Sequence, residues 1–201
     1  MYSCSPKKTL TGVYGGSFNP IHLGHTAMAA EVVRRGLVDE MWLIVSPQNP
    51  LKHDGLWDDD FRLSLARVAV DGMADIRVSD VEFSLPRPNY MITTLETLSA
   101  RYPCRDFVLV IGMDNWERFH RWYRSGDILR RYPLIVLPRR SEGDALESGS
   151  MDAGAGNVSF PDVPLIDLSS TWIRAQIKDN PSYDGEGLDP RVWDMIKHRM
   201  K

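Results

Sequence analysis

Two histidines, His22 and His25, stand three residues apart in the segment G-G-S-F-N-P-I-H-L-G-H, Gly15–His25. If a helix begins near Leu23, both imidazoles turn toward one place, where they can donate hydrogen bonds to phosphate oxygens. Gly15 and Gly16 let the backbone approach a ligand closely and permit positive φ. A helix opening just after them presents unpaired N–H groups and partial positive charge, which also suit phosphate. The chemistry indicated is the holding and polarising of a polyphosphate. Neither a G-x-x-x-x-G-K-S/T loop nor a G-x-G-x-x-G fingerprint occurs in the chain. Zinc on His22 and His25 would need an H-E-x-x-H or a cysteine pair, and neither is present. The plain structural alternative is a Gly-Pro turn with two locally packed histidines.

A second cluster, L-S-S-T-W-I-R at Leu168–Arg174, gathers hydroxyls where a helix should start. Ser169, Ser170 and Thr171 can receive an anion, and Arg174 adds a guanidinium one turn later. Alone, the same residues serve equally as a helix cap. In I-G-M-D-N, Ile111–Asn115, Asp114 can take a ribose hydroxyl, orient a basic group, or merely cap a turn. Arg121-Trp122-Tyr123 offers aromatic faces to an electron-poor, positively charged heterocycle; the alternative is ordinary core. The loop P-Q-N-P-L-K-H at Pro47–His53 places Lys52 and His53 for a phosphate, or for solvent. Arg139-Arg140 is a further basic pair.

These clusters fall at the ends of short apolar runs that alternate with helical patterns, the signature of a parallel α/β sheet. Strands are expected at Thr9–Tyr14, Glu40–Val45, Ile76–Val78, Phe107–Ile111, Leu134–Leu137 and Leu165–Leu168. Helices are expected at Leu23–Arg35, Asp59–Val70, Met91–Arg101, Ser170–Lys178 and Pro190–Met200. Trp116–Arg131 should be helical with a break near Ser125-Gly126. Gly36 should stop the first helix, and Ser169 or Ser170 should cap the one before Arg174. Ser141–Gly156 is rich in Gly, Ser, Ala and acids and reads as a mobile loop or insertion. The whole, 1–201, is expected to be one Rossmann-like, doubly wound α/β domain with a small C-terminal helical element.

A net charge of −3 argues against a broad nucleic-acid surface. Cys4 and Cys104 form no C-x-x-C pair, so no disulfide framework is implied. No apolar run nears the ~18 residues of a membrane span, and no signal-peptide core is seen, so a cytoplasmic protein is expected. A homo-oligomer is compatible with all of this.

The Gly15–His25 segment resembles the H-x-G-H signature of the nucleotidyltransferase superfamily, and Leu168–Arg174 resembles its I-S-S-T-x-I-R element. More narrowly, the chain from about Thr9 to Arg199 resembles the bacterial nicotinate-nucleotide adenylyltransferase family, with Ser141–Gly156 the least matched part. The resemblance implies AMP transfer from ATP to nicotinate mononucleotide, with pyrophosphate released. It implies that His22, His25 and Arg174 act on the phosphates. Gly15, Gly16, Ser17, Phe18, Gly112, Asp114, Arg140, Ser169, Ser170 and Thr171 would surround ATP. Asn49, Lys52, His53, Tyr90, Thr94, Trp122 and Tyr123 would receive the acceptor. Met91 stands where the family's Y-T-x-x-T pattern has its first threonine, removing a hydroxyl.

A phosphate monoester with a second pKa of ~6 is already nucleophilic at neutral pH and needs no general base. Catalysis would then be positioning and charge stabilisation, with Mg²⁺ arriving on the ATP phosphates. Nicotinamide mononucleotide and phosphopantetheine are the alternative acceptors. A non-catalytic nucleotide-binding protein on the same fold is the alternative of another class.

Overall fold

A computed structural model describes residues 7–47, 56–138, 157–164 and 168–200. In chain order the strands are β1 Thr9–Gly16, β2 Glu40–Val45, β3 Ile76–Ser79, β4 Arg105–Gly112, β5 Leu134–Leu137 and β6 Val158–Ser159. The helices are α1 Leu23–Arg34, α2 Asp59–Val70, α3 Met91–Arg101, α4 Met113–Glu117, α5 Ser125–Arg131, α6 Ser170–Asp179 and α7 Pro190–Met200. All strand pairings are parallel, in the order β3-β2-β1-β4-β5-β6.

Parallel pairing requires crossover helices on both faces, so the central strands must be apolar on both sides. Every residue of β2 is buried, as are Phe107–Ile111 of β4. Side chains alternate between two cores. Leu43, Val45, Val108 and Val110 face α1, α2 and the C-terminal helices, whereas Trp42, Ile44, Leu109 and Ile111 face α3 and α5. Local signals set the helix ends. Asp58 caps α2 by accepting from Phe61 N at 2.8 Å, and Gly36 ends α1 with φ of 67°.

The described residues depart from the expected pattern at some points and add to it at others. The sixth strand is Val158–Ser159; of Leu165–Leu168, only Leu168 is among the described residues, and it is not in a strand. Trp116–Arg131 is not one helix broken at Ser125-Gly126: the chain leaves helix after Glu117, makes a 3₁₀ turn at Phe119–Arg121, and re-enters at Ser125. Arg124, at φ 53°, makes that re-entry, and its guanidinium pairs with Asp127 and Glu96. Gly15 and Gly16 are not in positive φ; Phe18 is, at 44°. Finally, Cys104 is disulfide-bonded; the chain's other cysteine is Cys4, outside the described residues. The Ser141–Gly156 loop and the residues Asn49, Lys52, His53 and Arg140 also lie outside them.

Candidate active site

The sheet order creates a crevice. The chain leaves β1 toward β2 and later returns to β4 on the other side of β1, so a switch point lies between β1 and β4. The two ladders end at different heights. β1 pairs with β2 as far as Gly16↔Val45, but with β4 only to Val13↔Leu109. Beyond Val13 the strands diverge, and Gly15, Gly16 and Gly112 stand at the opening. Asp114 follows in the first turn of α4, exposed, and its carboxylate would meet any Cβ added at Gly112, 2.8 Å away. Lost hydration, then the charge on Asp114, holds the Tyr14 phenol above its ordinary range.

The glycines serve through their missing side chains. A Cβ on Gly16 would stand 3.0 Å from the Phe18 ring, and one on Gly15 2.5 Å from Met91 Cε. Phe18 occupies a left-handed conformation that costs a non-glycine residue energy. Its ring thereby lies over Gly16 and edge-on to His25, with centroids 5.0 Å apart. Met91 fills the space above Gly15 as a packing group. Gly15→Ala should therefore push Met91 aside and raise the acceptor KM about threefold to tenfold. Adding Met91→Ala in the same chain should restore it; steady-state kinetics showing no restoration would mean that this contact is not the cause.

His22 is the N-cap of α1, and His25 lies in its first turn. Their rings stack, with centroids 3.6 Å apart and planes 30° apart. The His22 amide donates to His25 Nδ1 at 3.2 Å, which places the His25 proton on Nε2. Burial pushes the His22 pKa down to about 4, so its imidazole is neutral at pH 7.

Four buried side-chain polar atoms among the described residues have no hydrogen-bond partner: Ser17 Oγ, His22 Nδ1, Glu82 Oε2 and Trp122 Nε1. Such atoms are uncommon and call for an explanation. Three belong to residues predicted from the sequence as ligand contacts.

The second motif docks on the first. Ser169 caps α6 by accepting from Trp172 N at 3.1 Å. Ser170 Oγ donates to Pro20 O at 2.9 Å, and Arg174 donates to Asn19 O at 2.7 Å. A second Arg174 nitrogen donates to Thr171 Oγ1 at 3.3 Å. The start of α6 is thus fixed to the loop that carries His22, across about 150 positions of sequence. No cluster of three or more His, Cys, Asp or Glu side chains fit for a metal occurs among the described residues. The imidazoles are nitrogen donors that a hard cation such as Mg²⁺ does not favour.

Of the residues expected to receive the acceptor, Tyr90 and Tyr123 have their rings 4.6 Å apart, and Tyr123 is exposed. Trp122 leans on Phe119 at 5.3 Å. Thr94 is not brought to the opening. It is fully buried, and its hydroxyl donates to Glu82 Oε1 at 2.7 Å, so it supports α3 from behind.

Two important residues were missed in the sequence. Arg62 is fully enclosed, and its guanidinium donates to the carbonyls of Ser17, Ser46, Pro47 and Trp57 and to Asp59. Glu82 is a buried carboxyl in the 3₁₀ turn Val81–Ser84. Neither interrupts an apolar pattern strongly enough to be noticed.

The cytidylyltransferase-like family model matches residues 13–176. A Bacteroides thetaiotaomicron protein named a probable nicotinate-nucleotide adenylyltransferase is 41% identical, over 100% of this chain and 97% of its own length. A Bacteroides fragilis protein of the same name is 44% identical over 83% of this chain and 81% of its own. Among solved structures, Plasmodium falciparum nicotinic acid mononucleotide adenylyltransferase complexed with NaAD shares the fold. Its TM-score is 0.72 at 16% identity, covering 95% of this chain and 96% of that one. Full-length similarity at this level, over the two motifs just described, means that the chain belongs to the nicotinate-nucleotide adenylyltransferase family of cytidylyltransferase-like proteins.

Proposed function

We propose that this protein transfers the AMP part of ATP to nicotinate mononucleotide, giving nicotinate adenine dinucleotide and pyrophosphate. The observation that carries the reading is the docking of the α6 start onto the H-x-G-H loop through Ser170 and Arg174. It gathers imidazole, hydroxyl and guanidinium donors at one end of the sheet, as a polyphosphate demands.

An oxygen of the acceptor's phosphate forms a bond to the α-phosphorus of ATP, and the bond from that phosphorus to the β-phosphate's bridging oxygen breaks. The nucleophile is already ionised, so no side chain need remove a proton. His22 and His25 donate to the α- and β-phosphates as neutral imidazoles. Arg174 and the backbone N–H groups of the Ser170 region, at the start of α6, hold the departing pyrophosphate. Mg²⁺ bound to ATP would be held mainly by the nucleotide's own phosphate oxygens and would offset the charge between the two anions. Asp114, Gly112 and Phe18 surround the nucleoside, and Arg140 would serve the ATP phosphates, as the family resemblance implies. Tyr90, Tyr123 and Trp122 receive the pyridine ring, and Asn49, Lys52 and His53 the mononucleotide phosphate. We place the reaction in the cytoplasm; no helix among the described residues is long and apolar enough to cross a membrane.

The test is pyrophosphate release from ATP and Mg²⁺ with three acceptors in parallel: nicotinate mononucleotide, nicotinamide mononucleotide and phosphopantetheine. The first should give the highest kcat/KM. A preference for another acceptor would reassign the substrate. No release with any of them would leave a nucleotide-binding protein without this chemistry.

A further inference from the structure

Behind the proposed acceptor side lies a polar group that the reaction does not use. Glu82 is 2% exposed, in the turn between β3 and α3. Its Oε1 accepts from the Thr94 hydroxyl at 2.7 Å, and the Ser46 hydroxyl supports the same carboxyl. Its backbone oxygen accepts from Asn89 Nδ2 at 3.1 Å. Among the described residues no cation pairs with it, and Oε2 is buried without a partner.

These contacts join three pieces. Ser46 directly follows β2, and its amide donates to Gly16 O at 2.9 Å, next to the opening. Thr94 lies one turn into α3. Asn89 immediately precedes Tyr90, the N-cap of α3, whose ring meets that of Tyr123. Glu82 therefore sits where the end of β2 and the start of α3 must keep a fixed separation. Tyr90 and Met91 are carried on the element it holds.

We propose that Glu82 is a positioning residue for the acceptor, bracing the start of α3 against the end of β2. Its enclosed setting, with no cation paired to it among the described residues, favours the protonated carboxyl: burial raises its proton affinity, against the pull of the Thr94 and Ser46 hydroxyls. Oε1 accepts from the Thr94 hydroxyl, and Oε2 carries the proton. Of these contacts, only the Ser46 amide reaches the adenine-nucleotide half of the site, at Gly16 O; none reaches α1 or α6.

The inference rests on the reading of Tyr90 and Tyr123 as acceptor-facing, and the experiment separates the two. Glu82→Leu, Glu82→Gln and Thr94→Val would be assayed with nicotinate mononucleotide and ATP varied in turn. Glu82→Leu should raise the acceptor KM about tenfold and leave the ATP KM within about twofold. Thr94→Val should show the same pattern more weakly, which keeps the test open if Glu82→Leu does not fold. Glu82→Gln should stay close to the parent, because an amide copies one acceptor and one donor of a protonated carboxyl. A carboxylic-acid carbonyl band in the infrared spectrum of the parent should disappear in Glu82→Gln. The proposal is overturned if Glu82→Gln is as impaired as Glu82→Leu, if both KM values move together, or if that band is absent. If the parent turns over no nicotinate mononucleotide, the functional reading fails instead, while the infrared result still reports on Glu82.

Discussion

Replacing His22 or His25 by alanine should lower kcat roughly a hundredfold or more while ATP still binds. The reason is the state of the two rings. His22 is neutral, with a pKa near 4 from burial. His25 accepts from the His22 amide through Nδ1, so its Nε2 holds the proton. Two stacked neutral imidazoles can each place one N–H on a phosphate oxygen. Their value grows as negative charge spreads from the α-phosphate onto the leaving group, so the loss falls on turnover more than on ground-state binding. Calorimetric titration with ATP and initial rates of pyrophosphate release would be measured on the same preparations. Near-normal turnover in both variants would remove the histidines from the mechanism. Loss of ATP binding in step with kcat would make them binding groups only.

The part of this site that lies along one stretch of chain was legible in the sequence. Gly15–His25 could be read because strand, glycines, loop and helix start follow one another, and each leaves a local mark. The limits of β2, α2, α3, β5 and α7 were legible for the same reason. What failed had its cause elsewhere in the fold. Thr94 matched a pattern of ligand contacts, yet its partner is Glu82, twelve positions earlier, so its hydroxyl faces inward. Ser125-Gly126 looked like a helix break because Gly favours one. The structure instead turns at Arg124, where charges on Asp127 and Glu96 hold a conformation that composition does not disclose. Gly15 and Gly16 were singled out for close backbone approach and for the positive φ they permit. It is the space taken by Met91 and the Phe18 ring that excludes a side chain there, and neither neighbour could be assigned from spacing alone.

Arg62 is the sharpest case of a residue hidden from the sequence, and its replacement should cause the largest loss of stability. On α2 it lies beside Phe61 in the helical pattern, and an arginine there reads as part of the solvated face. The structure buries it completely and surrounds it with backbone oxygens from the β1–α1 loop, the end of β2 and the approach to α2. Its planar fork suits this task, since a lysine could not span acceptors on several sides. Arg62→Met keeps much of the volume but leaves those carbonyls and Asp59 unsatisfied. Removing one partner of a buried, hydrogen-bonded charge typically costs about 3–5 kcal/mol. For a chain of this size that corresponds to a fall in Tm on the order of 10 °C. Arg62→Lys should fall between the two. Because Ser17 O is among the freed carbonyls, the ATP KM should rise in whatever fraction of Arg62→Met remains folded. Thermal melts give the first quantity and steady-state kinetics below the melting range the second. A melting point within a degree or two of the parent would mean that the guanidinium is not the tie between these loops. An unchanged ATP KM beside a lowered Tm would mean that the tie holds the fold together without shaping the H-x-G-H loop.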